Sequence, residues 1–129
     1  MKKYIASEKA AAAGGAYSPG LQVGDFVFVS GQGPLAPETG EIVGNTIEEQ
    51  TARTLDNVKA HLEAGGVAMD DVVKCTVHLS DINNFNRFNE VYATYFSDPK
   101  PTRTTVQSVL WPGLLVEIDA IAHKESAGK

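Results

Sequence analysis

Two residues in the last third of the chain have types and settings suited to chemistry on a small acid. Arg103 stands in Pro101-Thr-Arg-Thr-Thr-Val106, a run rich in β-branched residues, and Glu117 follows in the next apolar run, Leu115-Val-Glu-Ile-Asp119. A guanidinium on a strand offers a planar fork of donors that matches a carboxylate bidentately, so Arg103 is a candidate anchor for a small carboxylate ligand. The plainer alternative is a structural ion pair between Arg103 and an acid. The other candidates are dispersed. His61, His78 and His123 lie far apart, and no His, Cys, Asp or Glu group has metal-ligand spacing, so no metal centre is expected. His61 is expected on the polar side of a helix, His78 on the side of its strand opposite Cys75, and His123 near the terminus, all three in structural roles.

The elements that must hold these residues belong, by length, to a single domain over residues 1–129 with one core. An apolar fraction of 43% and a charged fraction of 21% are ordinary for a soluble globular protein. The net charge of −5, without a lysine or arginine cluster, argues against nucleic acid as a partner. No apolar stretch approaches the roughly 18 residues of a membrane span, and the N-terminal residues carry no long apolar segment of a signal peptide. The single cysteine, Cys75, excludes an internal disulfide and fits a reducing compartment. A cytoplasmic location is expected.

Gly14-Gly-Ala-Tyr-Ser-Pro-Gly20 reads as a loop with Tyr17 as its one large side chain, and Gly31 to Gly40 as a second glycine and proline segment. Between them, Leu21 to Val23 and Phe26 to Ser30 flank Gly24-Asp25 as a β-hairpin. Thr46-Ile-Glu-Glu49 is a capping box, and behind it Ile47, Thr51, Leu55, Val58 and Leu62 recur at helical spacing until Gly65-Gly66. Val72 to Leu79 alternates as a strand. Asp81 to Phe96 places Phe85, Phe88, Tyr92 and Tyr95 on one helix face. Two strands close the chain, roughly Arg103 to Leu110 and Leu115 to His123, joined by a Trp111-Pro-Gly turn.

The order β-β-α-β-α-β-β, with a further strand possible near Lys3, makes an α+β fold in which two helices cover one face of a mixed sheet. Alternation sets Arg103, Thr105, Gln107 and Val109 on one side of their strand. In the last strand it sets Val116, Ile118, Ala120 and Ala122 toward the helices. Leu115, Glu117, Asp119 and Ile121 then fall on the uncovered face, a mixture of charge and large aliphatics that suits a subunit interface. An oligomer is expected.

Ala16-Tyr-Ser-Pro-Gly20, Val29-Ser-Gly-Gln32, Gln50-Thr-Ala-Arg-Thr-Leu-Asp-Asn57, Asn89-Glu-Val-Tyr92, Pro101-Thr-Arg-Thr-Thr-Val106 and Val116-Glu-Ile-Asp-Ala120, in this order and spacing, resemble the RidA/YjgF family of imine deaminases over nearly the whole chain. The resemblance implies a chorismate-mutase-like fold, assembly as a homotrimer, and active sites between subunits. It implies hydrolysis of reactive 2-imino acids or their enamine tautomers, of the 2-aminoacrylate and 2-iminobutanoate type, to 2-oxo acids and ammonia, without cofactor or metal.

Carried over by resemblance, Arg103 is the carboxylate anchor and Glu117 holds the attacking water. Ser30, Gly31, Asn89 and Thr105 lie against the substrate, and Tyr17 closes over it. The best-known deaminase subgroup has cysteine where this chain has Thr105. The segment between Pro112 and Glu117 is one residue shorter than that pattern. Both differences bear on substrate preference more than on reaction type. The rivals are a deaminase or hydrolase for a pathway-specific substrate, of the 2-aminomuconate or pyrimidine-breakdown type, and a non-enzymatic small-molecule binder or holdase.

Overall fold

A computed structural model describes residues 1–124. Six strands form one sheet in the order β1 (Lys3–Ile5), β2 (Gly20–Val23), β3 (Phe26–Gln32), β6 (Val116–His123), β4 (Val72–Leu79), β5 (Thr102–Gln107). Only β4 and β5 pair in parallel; the other pairings are antiparallel. The connection between β4 and β5 carries the second helix, as a parallel pair requires a crossover. Helices α1 (Ile47–Ala64) and α2 (Phe85–Ala93) pack on one face, giving the expected two-layer α+β fold, and the strand near Lys3 is β1.

Local chemistry sets the limits of α1. The Thr46 hydroxyl accepts from Glu49 N–H at 3.1 Å, and the Glu49 carboxylate accepts from Thr46 N–H at 3.2 Å, so the capping box closes. Gly65 caps the other end, and Gly66, at φ 81°, turns the chain away. The second helix is shorter than its sequence suggests. Asp81 caps a single 3-10 turn, Ile82–Asn84, by accepting from Asn83 N–H at 2.9 Å, and the α-helix begins only at Phe85. At the far end the Thr94 hydroxyl donates to Val91 O at 2.6 Å, leaving Tyr95 and Phe96 beyond the helix.

The core lies between the helices and one sheet face. Val27, Val29, Cys75, Val77, Leu79, Val116, Ile118, Ala120 and Ala122 meet Leu55, Val58, Leu62, Phe88 and Tyr92, all buried. Burial of this kind contributes about 25 cal/mol per Å² of apolar surface, the dominant favourable term. The opposite face carries no helix. Phe26 and Phe28 are 43% and 39% exposed there, next to His123 and Ile121 in register.

Two strand ends differ from the sequence reading. Strand β5 stops at Gln107 because β4, its neighbour, stops at Leu79; Ser108 N–H makes the last ladder bond, to Leu79 O at 2.9 Å. Val109 and Leu110 are therefore outside the strand, with Val109 fully exposed. Leu115 lies outside β6, its N–H taken by the Gln50 side chain at 2.8 Å, and its side chain packs against the core instead of the open face.

Candidate active site

Arg103 points toward α2. Its strand neighbour is the wholly buried Cys75, and in a sheet paired residues share a face. The guanidinium lies 4.7 Å from the Tyr92 ring centroid and 5.3 Å from that of Phe85, with Phe88 at 5.9 Å. Such placement over aromatic faces stabilises a cation. One Nη1–H donates to Asn89 Oδ1 at 2.7 Å. Arg103 makes no ion pair among the described residues. A half-buried guanidinium with a neutral acceptor on one side and an aromatic wall behind it is incompletely compensated, and a carboxylate is the ligand that completes it.

Glu117 points the other way. Its partner on β4 is His78, whose side of the strand is opposite Cys75, so Glu117 rises from the open face. On its β3 side the ladder is interrupted between Val29 and Gln32, a bulge that contains Ser30 and Gly31. A Cβ built on Gly31 would stand 2.7 Å from Glu117 Oε2, so only glycine leaves the carboxylate this position. The Ser30 hydroxyl donates to Ser18 O at 2.7 Å, and Ser30 N–H to Pro19 O at 2.9 Å. These bonds fasten the Tyr17 loop to the bulge. Tyr17 is half-exposed and lines a small cleft together with Pro19, Gly31 and Gln32.

The candidates therefore divide into two groups. Arg103, Asn89 and Thr105 belong to the helix side; Glu117, Gly31, Ser30 and Tyr17 belong to the open side. The structural pairing of Arg103 with Glu117 within one chain, which the sequence left open, is excluded by geometry: the side chains leave the sheet through opposite faces. Thr105 shares the face of Arg103, as alternation requires, but its hydroxyl is buried and without a hydrogen-bond partner.

The neighbouring titratable groups are structural. Burial pushes the Cys75 thiol up to about 11, which keeps it protonated and unreactive at neutral pH. Burial, reinforced by the adjacent Cys75, drives the Tyr92 phenol far above its ordinary value. His61 corrects the sequence reading: it is 1% exposed, with Nδ1 accepting from Ser7 N–H at 3.2 Å, and burial lowers its pKa. It faces inward because the N-terminal segment covers that side of α1. Sequence reasoning also passed over Gln50, whose amide donates to Gly44 O at 3.2 Å and Gly113 O at 3.0 Å while accepting from Leu115 N–H. One buried side chain thus positions the turn that leads into Glu117. Its place on the buried arc of α1, one residue before Thr51, was the available signal.

Fold and candidate site together define a two-layer α+β domain with a half-buried arginine against aromatic rings on one side of its sheet and, on the other, a glutamate without an ion pair among the described residues. By its match to the family model described as Endoribonuclease L-PSP over residues 7–124, the chain belongs to that family, the RidA/YjgF proteins. It is 52% identical over 125 residues to a RutC family protein of Saccharolobus solfataricus, covering 96% of this chain and 99% of that one. It is 41% identical over 130 residues to TdcF of Escherichia coli, named a reactive intermediate deaminase, covering 98% of this chain and all of that one. The crystal structure of TdcF with bound serine superposes with a TM-score of 0.87 at 38% identity, covering 94% and 98% of the two chains. A crystal structure from Thermotoga maritima superposes at 0.92 with 50% identity, covering 97% and 99%. No helix among the described residues is long and apolar enough to cross a membrane.

Proposed function

We propose that the protein hydrolyses reactive 2-imino acids, or their enamine tautomers, to 2-oxo acids and ammonia, in sites completed between the subunits of a homotrimer. The observation that carries this reading is the unpaired, half-buried Arg103 guanidinium held by Asn89 against three aromatic rings. That arrangement suits a small carboxylate and leaves the reacting carbon of a 2-imino acid just outside the wall. The relationship to a protein named for reactive-intermediate deamination supports the reaction class.

Arg103 fixes the carboxylate and sets the imine carbon in place. Glu117 then accepts a proton from water as it adds to that carbon, or orients the water by a hydrogen bond. Since Arg103 and Glu117 of one chain cannot meet, the glutamate comes from a neighbour. The open sheet face, with Phe26, Phe28 and Ile121, gives the neighbour apolar surface to cover. The outer edge of β5 is also free. Ser108 N–H bonds to β4, so the alternation of a parallel ladder turns the backbone groups of Arg103, Thr105 and Gln107 outward, where the Thr105 N–H can meet the substrate.

Relatives that carry the RutC name favour a second reading, the same chemistry on a different, pathway-specific substrate. One assay separates these readings from a binding-only role. A threonine or serine dehydratase supplies the imine, semicarbazide traps what remains, and the protein is compared with Arg103→Ala. Faster imine loss that vanishes in the variant supports deamination. No acceleration for either small imine, with larger imines turned over, supports the second reading. Oxo-acid binding with persistent imine supports a binder.

A further inference from the structure

His78 is the direct antiparallel partner of Glu117, and the two side chains rise together from the open face. Directly opposed Cβ atoms in such a pair stand about 5 Å apart, close enough for one small molecule to touch both groups. The imidazole is held in place. Its Nδ1 lies 2.8 Å from Ser108 Oγ, at the point where the chain leaves β5. That bond sets the ring plane and leaves Nε2 for the cleft. His78, Ser108, Leu110, Trp111 and Glu117 line one cleft of about 520 Å³, large enough for a small imino acid and water. Trp111, 80% exposed within the single chain, supplies an apolar wall.

We propose that His78, aligned by Ser108, is the proton-transfer partner of Glu117 in the hydrolysis. The inference rests on the deaminase reading above and adds a residue to it. Hydrolysis of an imine moves two protons in opposite senses, and a carboxylate alone serves one of them at a time. The imidazolium gives its proton to the imine nitrogen, forming the iminium. Water adds to the carbon while its proton passes to Glu117, giving the carbinolamine. Glu117 returns that proton to the nitrogen, the C–N bond breaks with its electron pair leaving on ammonia, and the hydroxyl proton of the collapsing carbinolamine passes to His78. The imidazolium and the carboxylate are both restored, and the sum is imine plus water to oxo acid plus ammonia.

The charged neighbours of His78 on this face are few. Glu117 lies opposite on β6, Asp119 diagonally beyond it, and Lys74 four residues back on β4, its ammonium bonded to Thr104 Oγ1 at 2.9 Å. From β5 the paired residue is the uncharged Val106.

The test is the semicarbazide-trapped imine assay across pH with wild type, His78→Gln, Ser108→Ala and Arg103→Ala. The expected result is a loss of about 10²-fold in kcat for His78→Gln, with KM changed far less and the alkaline fall of the wild-type profile flattened. Ser108→Ala should lose less and shift that limb. If His78→Gln does not fold, His78→Asn, whose amide can still meet Ser108, is read in the same way. A wild-type kcat and an unchanged alkaline limb in the histidine variant, beside an inactive Arg103→Ala, would overturn the role of His78. Full activity in Arg103→Ala would instead overturn the reading on which it rests.

Discussion

Arg103 and Glu117 leave the same sheet through opposite faces, and their surroundings differ as much as their directions. The arginine is enclosed: three aromatic rings back it, and Asn89 holds one of its nitrogens. The glutamate, also half-buried, rises from the uncovered face beside a bulge that keeps space clear through a glycine. An enclosed cation orients an anion with little loss of side-chain entropy on binding. A carboxylate on an uncovered face admits water, and the proposed assembly supplies its cover. In the proposed reaction one side recognises and the other reacts, and the fold alone does not join them.

Removing the recognising side should have the largest effect. Arg103→Ala forfeits a bidentate charged contact and is expected to cost about 10²- to 10³-fold in kcat/KM, read by imine trapping. Arg103→Lys should restore little, since an ammonium lacks the planar fork. On the reacting side, Gly31→Ala pushes the Glu117 carboxylate aside while the Val29 and Gln32 pairings remain. About a 10-fold or greater loss of kcat with a thermal midpoint close to wild type is expected. A large drop in midpoint would show instead that the bulge serves stability. Gln50→Ala removes three hydrogen bonds that position the turn before Glu117. It should destabilise the chain by about 2–3 kcal/mol in urea unfolding.

Two smaller effects test the frame around both sides. Burial lowers the pKa of His61 in the folded state, so on acidification the unfolded chain takes up the proton first. Stability is full above about pH 6.5 and is lost as pH falls from there toward the folded-state pKa. His61→Leu should flatten that slope in urea titrations between about pH 7 and pH 5. Arg87→Ala, which breaks the exposed pair with Glu48, should leave both activity and midpoint unchanged.

What could be read from the sequence was whatever local chemistry dictates. The capping box at Thr46 and the glycine pair at Gly65-Gly66 bound α1 because both act on their own backbone. Alternation identified β4, and the aromatic stripe of Phe85, Phe88 and Tyr92 became the wall behind Arg103. Faces across strands were a different matter. Nothing local to Arg103 or Glu117 states how β5, β4 and β6 are registered, and that register sends their side chains apart. It also places His78 beside Glu117. His61 was misplaced for a related reason: a polar residue on a helix reads as solvent-facing until the chain that covers it is known. The β5 limit failed because its neighbour β4 ends at Leu79, and the β6 limit because the Gln50 side chain takes the Leu115 N–H.

The division of the site between two chains is tested most directly by complementation. Arg103→Ala and Glu117→Ala, each inactive alone, are co-expressed with different tags, and the mixed assemblies are purified. A site that takes its arginine from one subunit and its glutamate from the next is intact when the two variants adjoin in one order. In a mixed trimer one of the three sites always has that order, so about one third of wild-type activity per site is restored. Mixed assemblies that remain as inactive as either parent would contradict the account.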